Sequence, residues 1–175
     1  MLLSRCFARW ALAAGAGLVM QAGIAAPAQV SVTLVQPAQF TDAGYSHRTA
    51  TPAELERLQQ ALQGALQPLA ERRLPAGDQL QVEVLDVDLA GELQMLRWPT
   101  GGELRVMREI TWPRITLRYR LLHEGREVSS GEQRLSDLNY LAGRPPGGDS
   151  ERYDPERRLM QRWFEQTFGP LSAAH

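Results

Sequence analysis

The chain has 175 residues, with 19 Lys plus Arg against 20 Asp plus Glu and a formal net charge of −1. Every one of those basic residues is Arg, which excludes Lys-based Schiff-base and general-base chemistry. The near balance of charge also argues against a protein that binds nucleic acid through its phosphates.

Residues 1–28 read as a targeting signal. Arg5 and Arg9 lie in the first nine residues with no acid, and residues 10–20 form a short, Ala-rich apolar core. Cleavage after Ala26 would put Pro27 beside the scissile bond. Cleavage after Ala28 gives the A-x-A site Ala26-Pro27-Ala28 and is the expected cut. The apolar core is too short to span a bilayer comfortably, and no later stretch is apolar enough to do so. Residues 29–175 are therefore expected to form a single exported, periplasmic domain with no membrane span. Removing Arg5 and Arg9 from the total of 19 leaves 17 Arg against 20 acids, a formal charge of −3. Cys6 is the only cysteine and leaves with the signal, so the mature chain has no disulfide, thiol nucleophile or thiolate ligand. Cys6 precedes the apolar core and is not placed to carry a lipid. A domain of this length can bury a sizeable core without disulfides.

The elements follow in order. Residues 30–35 (VSVTLV) alternate as a strand, and residues 36–50 read as a polar loop. Thr51-Pro52-Ala53-Glu54 is a capping box with Pro at the first helical position. It opens a helix to about Arg73 with Leu55, Leu58, Leu62, Ala65, Leu66 and Leu69 as its apolar stripe, weakened or kinked at Pro68. Residues 79–89 are the second strand. Strand, helix, strand favours a parallel pair with a right-handed crossover. Residues 90–102 read as irregular, and 103–108 (ELRVMR) as a strand leading into the next hairpin.

That hairpin, residues 110–135, is the clearest β signal. Ile115, Leu117, Tyr119 and Leu121 alternate with Thr116, Arg118 and Arg120, the chain turns at residues 123–126, and a more polar strand returns near an edge. Residues 136–141 suggest a helical turn, and 142–152 a mobile Pro/Gly loop. Asp154-Pro155 is expected to cap a last helix with Leu159, Met160, Trp163, Phe164 and Phe168 on one face. The expected fold is α+β: a two-layer sandwich with a mixed sheet of about four strands and two helices on one face.

Several segments carry a resemblance. FTDAGYS at 40–46, EVLDVDLAGE at 83–92, ITWPRI at 110–115, LSDLNYL at 135–141 and the RY…E…WF run across 152–164 resemble the proteobacterial family catalogued as domain of unknown function 3016. The resemblance covers nearly the whole mature chain. It implies an exported, one-domain envelope protein and implies no activity.

The site must therefore be read from residues. Asp86-x-Asp88-x-x-Gly91 opens like a calcium loop, but its fifth and twelfth positions are Ala90 and Arg97 instead of oxygen ligands. The plainer reading is a strand end whose carboxylates hold backbone N–H groups or an Arg. Asp42 joins Asp86 and Asp88 if the parallel pair forms, because all three then lie beyond the C-terminal ends of paired strands. His47 and Ser46 lie near Asp42, but no nucleophile-elbow motif accompanies them. His123 and His175 have no metal-ligand spacing, and neither a metal nor a cofactor is expected. Arg118 and Arg120 share the outward strand face, free to grip an anionic group or paired with Glu127 or Glu132. Trp98, beside Pro99, is a candidate to line a pocket or meet a partner; Trp112 and Trp163 read as core.

The expectation is a non-enzymatic envelope module that binds an anionic ligand or a protein partner. The alternative is a metal-dependent or acid–base hydrolase built on Asp42, Asp86 and Asp88. A third reading is an adaptor in a larger envelope complex. The sequence leaves the oligomeric state open.

Overall fold

The computed structural model describes residues 26–96, 102–142 and 152–169. Four strands build the main sheet: β1 (Gln29–Leu34), β2 (Gln79–Asp88), β5 (Arg114–His123) and β6 (Arg126–Ser136), in the order β1-β2-β5-β6. β1 and β2 pair in parallel, and β2–β5 and β5–β6 pair antiparallel. Helix α1 (Pro52–Arg73) makes the crossover between β1 and β2, and helix α2 (Asp154–Phe168) packs beside it. This is the expected two-layer α+β architecture.

The local chemistry explains each element. Thr51 accepts from the Glu54 amide while the Glu54 carboxylate accepts from the Thr51 amide, completing the capping box. α1 runs on through Pro68 to Arg73; the missing N–H leaves the carbonyl of Gly64 without its helical donor. The β5–β6 turn is the two-residue Glu124-Gly125, with φ 48° and 76°, the left-handed pair that matches strand twist. At α2, Tyr153 (φ 65°) occupies the cap position instead of Asp154, which pairs one turn on with Arg158 at 3.3 Å.

The sheet has one dry and one wet face. Val30 and Val32, Leu80, Val82 and Val84, and Ile115, Leu117, Tyr119 and Leu121 are buried. Leu58, Leu62, Leu66 and Leu69 of α1 and Leu159, Met160, Trp163 and Phe164 of α2 join them in one core. Trp163 meets Tyr119 edge-on at 5.6 Å. Each large apolar side chain so buried is worth about 1.5–3 kcal/mol. Between Val84 and Asp86 the β2–β5 register slips. Val87 thereby returns to the core while Asp86 and Asp88 stay on the polar side.

The region after β2 departs from expectation. Residues 90–102 are not irregular throughout: β3 (Glu92–Leu96) pairs antiparallel with β4 (Gly102–Val106) as a separate two-stranded ribbon. β4 is the strand expected over 103–108, but it pairs with β3 and not with the main sheet. Gly91 makes the fold-back possible. Its φ is 85°, and a Cβ there would lie 2.8 Å from the Met107 sulfur and 2.9 Å from the Val106 carbonyl.

The outer edge of β1 is closed from an unusual direction. Gln67 of α1 accepts from the Val30 amide through Oε1 at 2.9 Å and donates from Nε2 to the Ala28 carbonyl at 3.0 Å. A side-chain amide thus stands in for a neighbouring strand.

Candidate functional site

The parallel pair brings the acidic residues together as the topology predicts. Asp42 forms an isolated parallel bridge to Asp88, with its amide donating to the Val87 carbonyl at 2.9 Å. Each carboxylate is already engaged. Asp86 accepts from the Thr41 amide at 2.7 Å and its hydroxyl at 2.9 Å. Asp88 pairs with Arg114 at 2.9 Å. Burial raises the Asp88 pKa, Arg114 opposes this, and the negative charges of Asp42 and Asp86 add to the rise. Among the described residues no group of three or more His, Cys, Asp and Glu side chains is placed to hold a metal ion.

Asp42 is held by Arg105, which sequence reasoning missed. The Arg105 side chain is only 2% exposed. Its guanidinium donates to Asp42 at 2.8 and 3.0 Å and to the carbonyls of Gly44, Tyr45, Ala90 and Gly91. It knots the β1 loop, the end of β2 and the β3–β4 ribbon into one unit. Glu156 of α2 lies buried beside this knot and accepts from the Ala90 amide at 2.7 Å. Burial pushes its pKa up to about 7 despite that hydrogen bond and the nearby Arg105.

Ser46 and His47 turn elsewhere. The Ser46 amide donates to Glu54 at 2.8 Å, and His47 Nδ1 lies 3.7 Å from the same carboxylate. Burial alone would raise Glu54, but hydrogen bonds from the Thr51 and Ser46 amides hold it below the usual carboxylate range. On the wet face Arg118 bridges Glu83 at 3.3 Å and Glu132 at 3.1 Å, and Arg120 donates to Gln81 at 2.9 Å. Glu127 accepts from Ser130 instead. Trp98 lies outside the described residues. Trp112 is half-buried, with the Arg114 guanidinium 5.0 Å over its ring.

The opposite end of the sheet holds an open cavity of about 720 Å³, where the ends of both helices meet the β5–β6 turn. Leu74, Leu121, Val128 and Phe168 give it apolar walls; Arg72, Arg73 and His123 bring positive charge. Val128, the residue left unpaired where the β5–β6 register slips, is 58% exposed. His123 Nδ1 lies 2.5 Å from Oδ1 of Asp78, a carboxylate only 4% exposed. That hydrogen bond raises the His123 pKa and favours the imidazolium. The pair joins residues 45 apart in sequence, and the ladder explains it: Gln79, next to Asp78, faces Leu122, next to His123. Among the described residues neither Arg72 nor Arg73 has an ion-pair partner.

Three solved structures are loosely similar to the chain. A candidate lipoprotein from Caulobacter crescentus CB15 is 16% identical, with 80% of this chain and 87% of that one covered and a TM-score of 0.33. A minor lipoprotein from Acinetobacter baumannii is 12% identical, covering 80% and 88%, with a TM-score of 0.24. A Xanthomonas campestris protein of the family called domain of unknown function 330 is 16% identical, covering 82% and 80%, at 0.30. Likenesses this loose carry no argument about fold or function. None of the curated proteins matches the chain. The family model described as protein of unknown function, DUF3016, matches residues 28–166, and the chain belongs to that family.

Proposed function

We propose that this is an exported envelope protein that binds a ligand or partner and does not transform it. Export rests on the leader: two arginines, a short apolar core and small residues after it. One observation carries the binding reading. The carboxylates and arginines best suited to chemistry are held by partners within the chain, whereas the cavity between the helix ends and the β5–β6 turn offers cations and apolar walls to an outside molecule. Its size falls in the range of small-molecule sites, and its walls have the usual mix of apolar surface and a few polar groups.

Native mass spectrometry of the mature chain, purified gently from its own periplasm, tests this. The expected spectrum contains a population carrying a non-covalent small molecule or a partner chain. A bare monomer, with nothing retained in a pull-down from solubilised membranes, would overturn the proposal.

A further inference from the structure

We infer that the cavity takes a single-chain amphiphile with an anionic head, a carboxylate or a phosphate. The inference rests on the binding reading above and names the ligand class. The walls supply the two halves of that recognition. Leu74, Leu121, Val128 and Phe168 supply apolar surface for an alkyl chain; Leu121 is nearly buried, and Phe168 packs onto the core through Trp163 at 5.9 Å. Arg72 and Arg73 meet the head, with His123 beside them. Against them stand Asp78 and the C-terminal ends of α1 and α2, each worth roughly half a negative charge. Asp78 is turned onto His123 at 2.5 Å, which leaves the two arginines to outweigh the helix ends. Arg suits this role because its planar fork pairs with both oxygens of a carboxylate or phosphate. A neutral lipid would leave both arginines unpaired, and a small inorganic anion would leave the apolar wall wet.

The delipidated mature chain should bind palmitate at one site, read as saturable quenching of tryptophan fluorescence below the micelle concentration. The wall residue Phe168 touches Trp163, which makes that indole the reporter. R72A/R73A should weaken palmitate by about tenfold or more while the far-ultraviolet circular dichroism and Tm stay unchanged. Palmitoyl lysophosphatidate, run in parallel, separates the two head groups: the tighter binder names the source. Equal affinity for neutral monopalmitoylglycerol, an unaltered constant in R72A/R73A, or no saturable binding would each overturn the inference. A different molecule retained in the native spectrum, with palmitate failing, would sink this inference and leave the binding reading standing.

An independent observation concerns export. We propose that the leader is cut after Ala25, leaving Ala26-Pro27-Ala28 on the mature domain. Ala28 is 1% exposed in the core, and its carbonyl accepts from Gln67. The Ala26 carbonyl accepts from the Gly77 amide at 2.7 Å, tying the segment to the turn before β2. A cut after Ala28 would delete both bonds and put a new ammonium on Gln29, whose amide donates to the Asp78 carbonyl at 2.9 Å. Gly23 and Ala25 supply the small residues at the third and first places before the cut, and Pro27 then sits clear of the scissile bond. Intact mass and N-terminal sequencing of the periplasmic protein should show Ala26 first; Gln29 first, or an uncut chain, would overturn it.

Discussion

Arg105→Ala is expected to destabilise the domain by about 3–5 kcal/mol, the cost of breaking a buried ionic network by removing one partner. The guanidinium serves four backbone carbonyls as well as Asp42, and it is almost wholly screened from water. Asp42 itself is 27% exposed and can rehydrate, so most of the loss comes from the orphaned carbonyls. Arg105→Lys should recover little, because three donors on a point charge cannot reproduce the planar fork. Urea unfolding of the three proteins measures this. A loss under 1 kcal/mol for Arg105→Ala would mean that water replaces the guanidinium and that the knot is not a structural centre.

The second large effect is pH-dependent and belongs to Glu156. Its pKa in the folded chain is about 7, against an ordinary 4.5. Between those values the folded state keeps a proton that the unfolded state releases. The carboxyl's contribution is therefore fully present at pH 4 and is lost as pH rises through about 7. The gap corresponds to roughly 3 kcal/mol. Glu156→Gln keeps an acceptor for the Ala90 amide and cannot ionise. It should match the parent at pH 4, exceed it by up to about 3 kcal/mol at pH 8, and flatten the slope between. Thermal melts across this range decide the matter; parallel curves for the two proteins would show that Glu156 does not titrate in the window.

Both effects arise where the sequence says least. The periodicity of β5, the capping box of α1 and the strand–helix–strand order read directly into the fold, because each is a local pattern that tertiary packing then reinforces. The meeting of Asp42 with Asp88 follows from the parallel pairing alone. Arg105 gives no such signal: its acceptors are mostly backbone carbonyls, and its carboxylate lies 63 residues away. β3 was hidden because Glu92-Leu93-Gln94-Met95-Leu96 carries no β-branched residue and pairs only with its neighbour. The His123–Asp78 contact needed the register of β2 on β5. Pattern sets the order of strands, but not which residues face each other across a ladder.

The Gln67 amide has a consequence for assembly. By taking the outward-facing amide of Val30 and carbonyl of Ala28, it removes part of the template that another chain's strand would pair with along β1. The other end of the sheet, β6, carries Arg126, Glu127, Glu132 and Arg134, and among the described residues no side-chain amide caps it in this way. Growth of sheet on sheet needs both ends open, since each added copy must offer what the last one used. With β1 partly plugged, pairing of the main sheet through β6 is favoured, and β6 meeting β6 is a twofold contact that closes on itself.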